Sequence, residues 1–404
     1  MVPVLRFKDI DGASGNEAYK KHLFADLFKF SLGRNIKQDE ASPEFETPCV
    51  RYGELYHLYD EVINAVVNST NLERSELLFS DGDEILLPSA GEDPMDIGNA
   101  SALTLKGVAI GRTINVLKPL RPDTYCHKYV AYYIREKLRE TIATLAQGVS
   151  ISNVYNTQLR TLEIKLPTLP EQRKIAAFLG AVDRKIQHLK RKQELLEQYK
   201  KGVVQQLFSQ ELRFKREDGS EYPEWEERGA GELFRNHSNK KHNSDLPILA
   251  ATQERGMVPR DTIGIDIKSS QASISTYKVV EPGDFVISLR SFQGGIEYSE
   301  VKGICSPAYI VLKPNEPIND QFFKAYFKMD DFITELSNTV VGIRDGKQIT
   351  YENFSSLTLP LPSLEEQSRI AGFLMALDAK VAGVAQAVAA AQKWKKGLLQ
   401  QMFA

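Results

Sequence analysis

The sequence predicts two mixed α/β (α+β) heads and two long antiparallel coiled-coil helices, arranged as a tandem repeat with an approximate two-fold axis. Three observations carry this reading. The chain repeats itself at a fixed offset, the repeated segments have the 4-3 apolar spacing of a coiled coil, and the segments between them alternate strand-like with helical runs. At 404 residues it is too long for one ordinary domain, given roughly 100 to 200 residues per domain. A composition of 42% hydrophobic and 26% charged residues excludes disorder over most of its length. No run of about 18 apolar residues is evident, and the opening MVPVLRFKDIDG is too polar for a signal-peptide core, so the expectation is a cytoplasmic protein. Cys49, Cys126 and Cys305 are odd in number and form no CxxC pair, which argues against a disulfide scaffold or a thiolate zinc site.

The repeat comes first because it fixes the frame. LPEQRKIAAFLGAVDRKI from Leu169 returns as LEEQSRIAGFLMALDAKV from Leu364, and YKKGVVQQLF from Tyr199 returns as WKKGLLQQMF from Trp394, both offset by 195. Over these stretches 16 of 40 residues are identical without a gap. VLKP at Val116 and Val311, and LEIKLP at Leu162 against LTLPLP at Leu357, keep the same offset. LRFKDIDG from Leu5 matches LRFKREDG from Leu212 at an offset of 207, so the first copy has twelve extra residues in its middle. The chain therefore divides into a head over 1–167, a long helix over 168–210, a second head over 211–362 and a second long helix over 363–404. The frame is repeated while the heads diverge.

Thr168 with Glu171, and Ser363 with Glu366, fit the S/T-x-x-E capping box and predict where the helices begin. The seam then reads Val182, Ile186, Leu189, Gln193, Leu196, Lys200, Val203 and Leu207, and in the second copy Leu377, Val381, Val384, Val388, Ala391, Lys395, Leu398 and Met402. Helices of some 40 residues are roughly 60 Å long, far more than a head needs, so the stripes are expected to pack on each other. Because a compact second head must connect the end of the first helix to the start of the second, the pair should be antiparallel. Lys200 and Lys395 hold matching seam positions, beside Tyr199 and Trp394 and before Gly202 and Gly397, which points to a local contact.

The heads read as mixed units. EILLP (84–88), DFVISL (284–289) and AYIVLKP (308–314) are strand-like, while 128–145 and 320–336 are helical. The net charge of −2 names no partner, although residues 169–216 carry a local excess of +7. Motifs for a P-loop, a dinucleotide fold, a nucleophile elbow or a histidine metal site are missing, as is the [DNS]-P-P-[YFW] loop of amino-methyltransferases. Catalysis, a metal and a cofactor are therefore not expected of this chain.

The twice-occurring L-P-x-x-x-EQ-x-[KR]-IA-x-FL-x-x-[LV]-D, followed by [YW]KKG[LV][LV]QQ[LM]F, resembles the specificity (S) subunit of a type I restriction-modification enzyme, over essentially the whole chain. VGIRDGKQITYENFSSLTLPLPSLEEQ is similar to the end of a target recognition domain in that family; in the first copy TLAQGVSISNVYNTQLRTL replaces its basic part. The resemblance implies a non-catalytic subunit in which each head reads one half of a bipartite, asymmetric sequence on double-stranded DNA. It also implies helices that set the spacer and dock two modification (methyltransferase) subunits, with restriction subunits as further partners and no membrane. S-adenosylmethionine, ATP and magnesium would then belong to the partner subunits. Half-sites about one helical turn, roughly 34 Å, apart suit two heads on one duplex face. The rival reading is a coiled-coil scaffold whose heads bind proteins.

Arg and Gln match the donor and acceptor pattern of major-groove base edges, and Lys more often meets phosphate. The DNA-contact candidates in the second head are Arg290, Ser291, Phe292 and Gln293 at a strand end, with Arg344, Lys347 and Gln348 in a glycine-bearing loop. In the first head they are Arg51, Tyr52, Arg112, Gln147 and Asn153.

Overall fold

The computed structural model describes residues 5–7, 19–148, 150–242, 245–264, 274–340 and 348–403. The chain divides into two compact units: Met1–Lys190 with Gln386–Ala404, and Arg191–Ala385. Each contains one head and parts of both long helices, which run over Leu169–Phe208 and Leu364–Met402.

In the first unit a five-stranded sheet has the order Phe28–Leu32, Ile114–Pro119, Glu84–Pro88, Ser101–Leu103, Val62–Ile63, antiparallel except for its last pair. Its strand over 84–88 is buried throughout, which is why EILLP is a continuous apolar run rather than an alternating one. The run His127–Leu145 packs on this sheet as a helix interrupted by one π-helical stretch at Ile134–Leu138. A smaller sheet, Asn68–Thr70, Thr47–Val50, Ala109–Ile110, holds the outer end. A two-stranded ladder, Lys20–Leu23 with Glu163–Leu166, feeds the chain into the first long helix.

The second unit repeats that frame. Its four-stranded sheet, Phe234–His237, Ile310–Pro314, Phe285–Ile287, Glu297–Tyr298, follows the order of the first four strands above, and Glu226–Gly229 with Thr358–Leu361 repeats the entry ladder. Its core is aromatic, with the Phe234 ring centroid 5.2 Å from that of Phe323 and 5.6 Å from those of Phe285 and Phe327. The helical run over 320–336 is broken into Asp320–Tyr326 and Asp330–Asn338, the second opening on two acidic residues that suit a helix N-terminus.

The repeated motifs are the places where heads meet helices. Arg6 forms a bidentate pair with buried Glu171 at 3.0 and 2.7 Å, and Arg213 holds buried Glu366 at 3.2 and 3.0 Å, with Trp225 Nε1 donating to the same carboxylate. Gln172 accepts from the Cys126 N–H and donates to the Pro167 carbonyl, as Gln367 does with Asn319 and Pro362. In the second copy the capping box is therefore only half made. Ser363 Oγ accepts from the Glu366 N–H, but both glutamates turn away to an arginine, whose two charge-assisted bonds outweigh one to a backbone donor. VLKP has a similar cause: Lys118 bridges Asp81 and Glu84, and Lys313 bridges Glu281 and Asp284, each across a turn whose glycine, Gly82 or Gly283, has φ +94°.

Along the helices burial follows the 4-3 spacing. Val182, Ile186, Val203, Leu207, Leu377, Val388, Leu398 and Met402 are buried, and Leu189, Gln193, Leu196, Lys200, Val381, Val384, Ala391 and Lys395 are half-buried. In the first unit Asp183, early in one helix, meets Lys395, late in the other; in the second Asp378 meets Lys200, so the helices are antiparallel. The two contacts are the same pair of positions in the repeat. By length and composition the second long helix is apolar enough to cross a membrane, contrary to the expectation of no such stretch, because its outward face is largely alanine. Only 17% of that stretch is buried.

Candidate nucleic-acid interface

In the first head the chain leaves the sheets at two turns pressed together at Gly33 and Gly111, where a Cβ on Gly33 would lie 2.0 Å from the Gly111 carbonyl oxygen. Asn35, Ile36 and Thr113 beside them have φ of 48°, 55° and 66°, left-handed values that a β-branched residue adopts only when its surroundings force it. These turns frame an open depression of ≈ 590 Å³ lined by Lys37, Arg51, Tyr52, Glu54 and Arg112 among others. Three of the candidates thus meet in one place.

Their roles differ. Arg51 Nε donates to Glu54 Oε1 at 2.8 Å, and that buried carboxylate also accepts from Asn68 Nδ2 and the Arg51 N–H, so Arg51 is tied into the wall. Arg112 is exposed; only its backbone is fixed, its N–H donating to the Asn35 carbonyl at 2.8 Å. Tyr52 is exposed, its ring edge against Tyr56. Among the described residues the depression offers the exposed Arg112 guanidinium, the Tyr52 ring and Lys37, a set able to stack on and hydrogen-bond a base edge while a lysine meets phosphate. Gln147 and Asn153 lie elsewhere, joined by a backbone bridge at 2.9 and 2.8 Å around Gly148, whose φ is +140°.

In the second head Arg290 and Gln293 are exposed on a tight turn after the strand Phe285–Ile287. Ser291 and Phe292 are corrected. Ser291 is 1% exposed and its Oγ accepts from the Ser288 N–H, so it builds the turn, while Phe292 packs back on the aromatic core. Gln348 is exposed, and Arg344 and Lys347 lie outside the described residues. Sequence reasoning missed Arg260 and Tyr309. Arg260 stands 6.0 Å from the Tyr277 ring, and both Arg260 and Arg290 oppose the burial that pushes the Tyr309 hydroxyl up. Their nearness depends on strands over 256–259 and 310–314, which no local signal relates. Likewise Lys37 belonged to no motif.

Among the described residues no group of three His, Cys, Asp or Glu is placed to hold a metal. The description "Type I restriction modification DNA specificity domain" matches the chain twice, over residues 16–198 and 223–387. The chain belongs to the type I restriction-modification DNA specificity family. Within this family it is 25% identical over 399 residues to the MjaVIII specificity subunit of Methanocaldococcus jannaschii, covering 92% of this chain and 89% of that one. A protein of the same organism proposed as the MjaX specificity subunit is 30% identical over 267 residues, and the match spans 61% of its length. The solved S subunit of a type I restriction-modification system from M. genitalium shares the fold at a TM-score of 0.60 and 18% identity, covering 100% of this chain and 99% of that one. A chain solved in a study of complex assembly and conformational transition of the type I system gives 0.55 at 18% identity, with 96% and 97% covered.

Proposed function

We propose that this chain is the DNA specificity subunit of a type I restriction-modification complex, each head reading one half of a bipartite, asymmetric target. The observation that carries the reading is the double family match, each copy spanning a head and much of its following helix. The heads share a sheet frame while their outer ends carry different side chains, Lys37, Tyr52 and Arg112 in one and Arg260, Arg290 and Gln293 in the other. Two readers on one frame suit a target whose halves differ. The long helices, held to the heads by the Arg6–Glu171 and Arg213–Glu366 pairs, set the spacer and dock two modification subunits. Methyl transfer, and the S-adenosylmethionine, ATP and magnesium it and restriction require, are then supplied by modification and restriction subunits in the cytoplasm.

Methylome sequencing tests this directly. A host expressing the chain with its cognate modification subunit should show a new bipartite methyladenine motif that a host lacking the chain does not. A stable co-purified complex that binds DNA no better than the modification subunit alone, and yields no motif, would favour the protein scaffold instead.

A further inference from the structure

The chain holds its own comparison of what the fold needs and what something else needs. Of the identities between the helices, Glu171/Glu366, Gln172/Gln367, Ile175/Ile370, Leu179/Leu374 and Phe208/Phe403 are explained by the buried or part-buried contacts above and by the cores. Others lie on the exposed surface with no such reason: Ala181/Ala376, Lys185/Lys380 and Gln205/Gln400. Beside them stand the aromatics Tyr199 and Trp394, each 54% exposed.

These aromatics belong to a motif that occurs once in each unit. In the first, Phe7 packs edge-on to Phe178 at 5.7 Å, and Phe178 edge-on to Trp394 at 6.2 Å. In the second, Phe214 and Phe373, the residues equivalent to Phe7 and Phe178, meet at 5.4 Å, and Tyr199 holds the place of Trp394. All four phenylalanines are half-buried. Each cluster has a basic border. Arg369 lies 5.7 Å from the Phe214 ring with Lys174 at the matching position, and Lys185 and Lys380 follow about three turns along the same helix face, exposed and, among the described residues, with no acidic side chain within 4.0 Å. Half-buried aromatic patches ringed by charge are the usual anchors of a protein interface, with Trp and Tyr contributing most.

We infer that Phe7–Phe178–Trp394 and Phe214–Phe373–Tyr199 are two copies of one docking patch, each receiving a copy of the same partner, the modification subunit, through an apolar surface with an acidic border. This rests on the proposed function. The duplication argues for the partner: heads that read different DNA halves have diverged, whereas surfaces that must bind identical protein copies are held alike. The complementary sign argues for its chemistry, since Lys174, Lys185, Arg369 and Lys380 would oppose a basic surface.

The test uses the full chain co-expressed with its cognate modification subunit, with copies per chain counted by native mass spectrometry. Trp394→Ala and Tyr199→Ala should each weaken one of the two partner copies by at least about tenfold, and the double variant should weaken both. Trp394→Phe should keep both copies, and Lys185→Glu with Lys380→Glu should weaken both without touching the aromatic packing. Circular dichroism of each variant reads folding separately. Wild-type stoichiometry and affinity in the double alanine and double glutamate variants would overturn the patch while leaving the specificity reading intact. Loss of DNA binding with partner stoichiometry unchanged would overturn it in favour of nucleic acid. A wild-type chain that binds no modification subunit and directs no methylation would overturn both.

Discussion

Lys395 and Lys200 occupy the same position of the repeat and contact the same equivalent aspartate, yet their replacement should have unequal effects. Lys395 Nζ lies 2.7 Å from Glu61 and 2.8 Å from Asp183, with side-chain exposures of 15%, 9% and 15%, and Tyr132 OH donates to Asp183 from below. Lys395→Met keeps the stem volume but leaves two carboxylates together in a poorly solvated site, which costs about 3 to 5 kcal/mol. Among the described residues Lys200 pairs with Asp378 alone, at exposures of 36% and 57%, so Lys200→Met should cost at most about 1 kcal/mol after solvent screening. For a unit of about two hundred residues the first loss lowers the melting transition on the order of 10 °C, the second hardly at all. Thermal unfolding followed by far-ultraviolet circular dichroism reads both, with the first unit's transition identified by which one moves. The deficit should also depend on pH. Burial holds the Asp183 carboxyl above its ordinary range, so its charged form costs stability above that folded value and the cost is relieved as the carboxyl takes up a proton. With its lysine gone Asp183 rises further, and the deficit of Lys395→Met should shrink from about pH 8 to about pH 5. In the wild type, burial lowers the Lys395 ammonium but Glu61 and Asp183 raise it more, so its stabilisation is present below the ordinary value of 10.5 and lost as pH rises through the higher folded value. Equal losses for the two lysines, or a Lys395→Met deficit that grows on acidification, would refute this reasoning.

Arg112→Ala should leave the first head folded, cost about 1 to 3 kcal/mol of DNA affinity and relax one position in one half of the target, read by methylome sequencing; Arg51→Ala should instead lower the melting transition, because it strips Glu54 of its ion pair. Gly148→Ala should destabilise the first head by more than about 1 kcal/mol, since a Cβ there sits 1.9 Å from the Ile151 carbonyl oxygen at a φ that L-residues avoid, and thermal melting measures it. A circular permutant joining Phe403 to Leu5 by a short linker and opened at Gln210 should fold with native helicity, because the Leu5 N–H already donates to Gln401 at 3.1 Å as that of Leu212 does to Gln206 at 3.0 Å, and Gln210 has a left-handed φ of 61°.

The helices were legible because a seam is a one-dimensional pattern: the 4-3 spacing specifies which face is buried whatever lies beyond it. Strands such as 84–88 were legible for the same reason, as short apolar runs bounded by turns. The capping boxes misled because a sequence pattern cannot say which partner a glutamate prefers, and Arg6 is 165 residues from Glu171. The candidate interface was legible only in part. Arg51, Tyr52 and Arg112 converge because strands over 47–50 and 109–110 are paired, a fact of topology that no local window contains. Ser291 was misplaced for the opposite reason, a polar residue between exposed neighbours whose hydroxyl the turn itself consumes.

What the repeat preserves separates two demands on one chain. The shared identities hold the frame: an arginine from the LRF segment on a glutamate and a glutamine on the head's backbone close each head onto a helix, and a lysine of VLKP spans an acidic turn inside each head. Such contacts leave the outer ends of the sheets unconstrained, which is where Arg112 and Arg290 stand and where the copies share least. A head can therefore change what it reads without changing how it is held. The asymmetry of the lysine pair fits the same division. Glu61 of the first head buries the contact of Lys395 in one unit, while in the other the equivalent pair stays half in water. Divergence in the heads has altered the strength of a frame contact without altering its geometry, and comparing the two lysine variants measures how far that has gone.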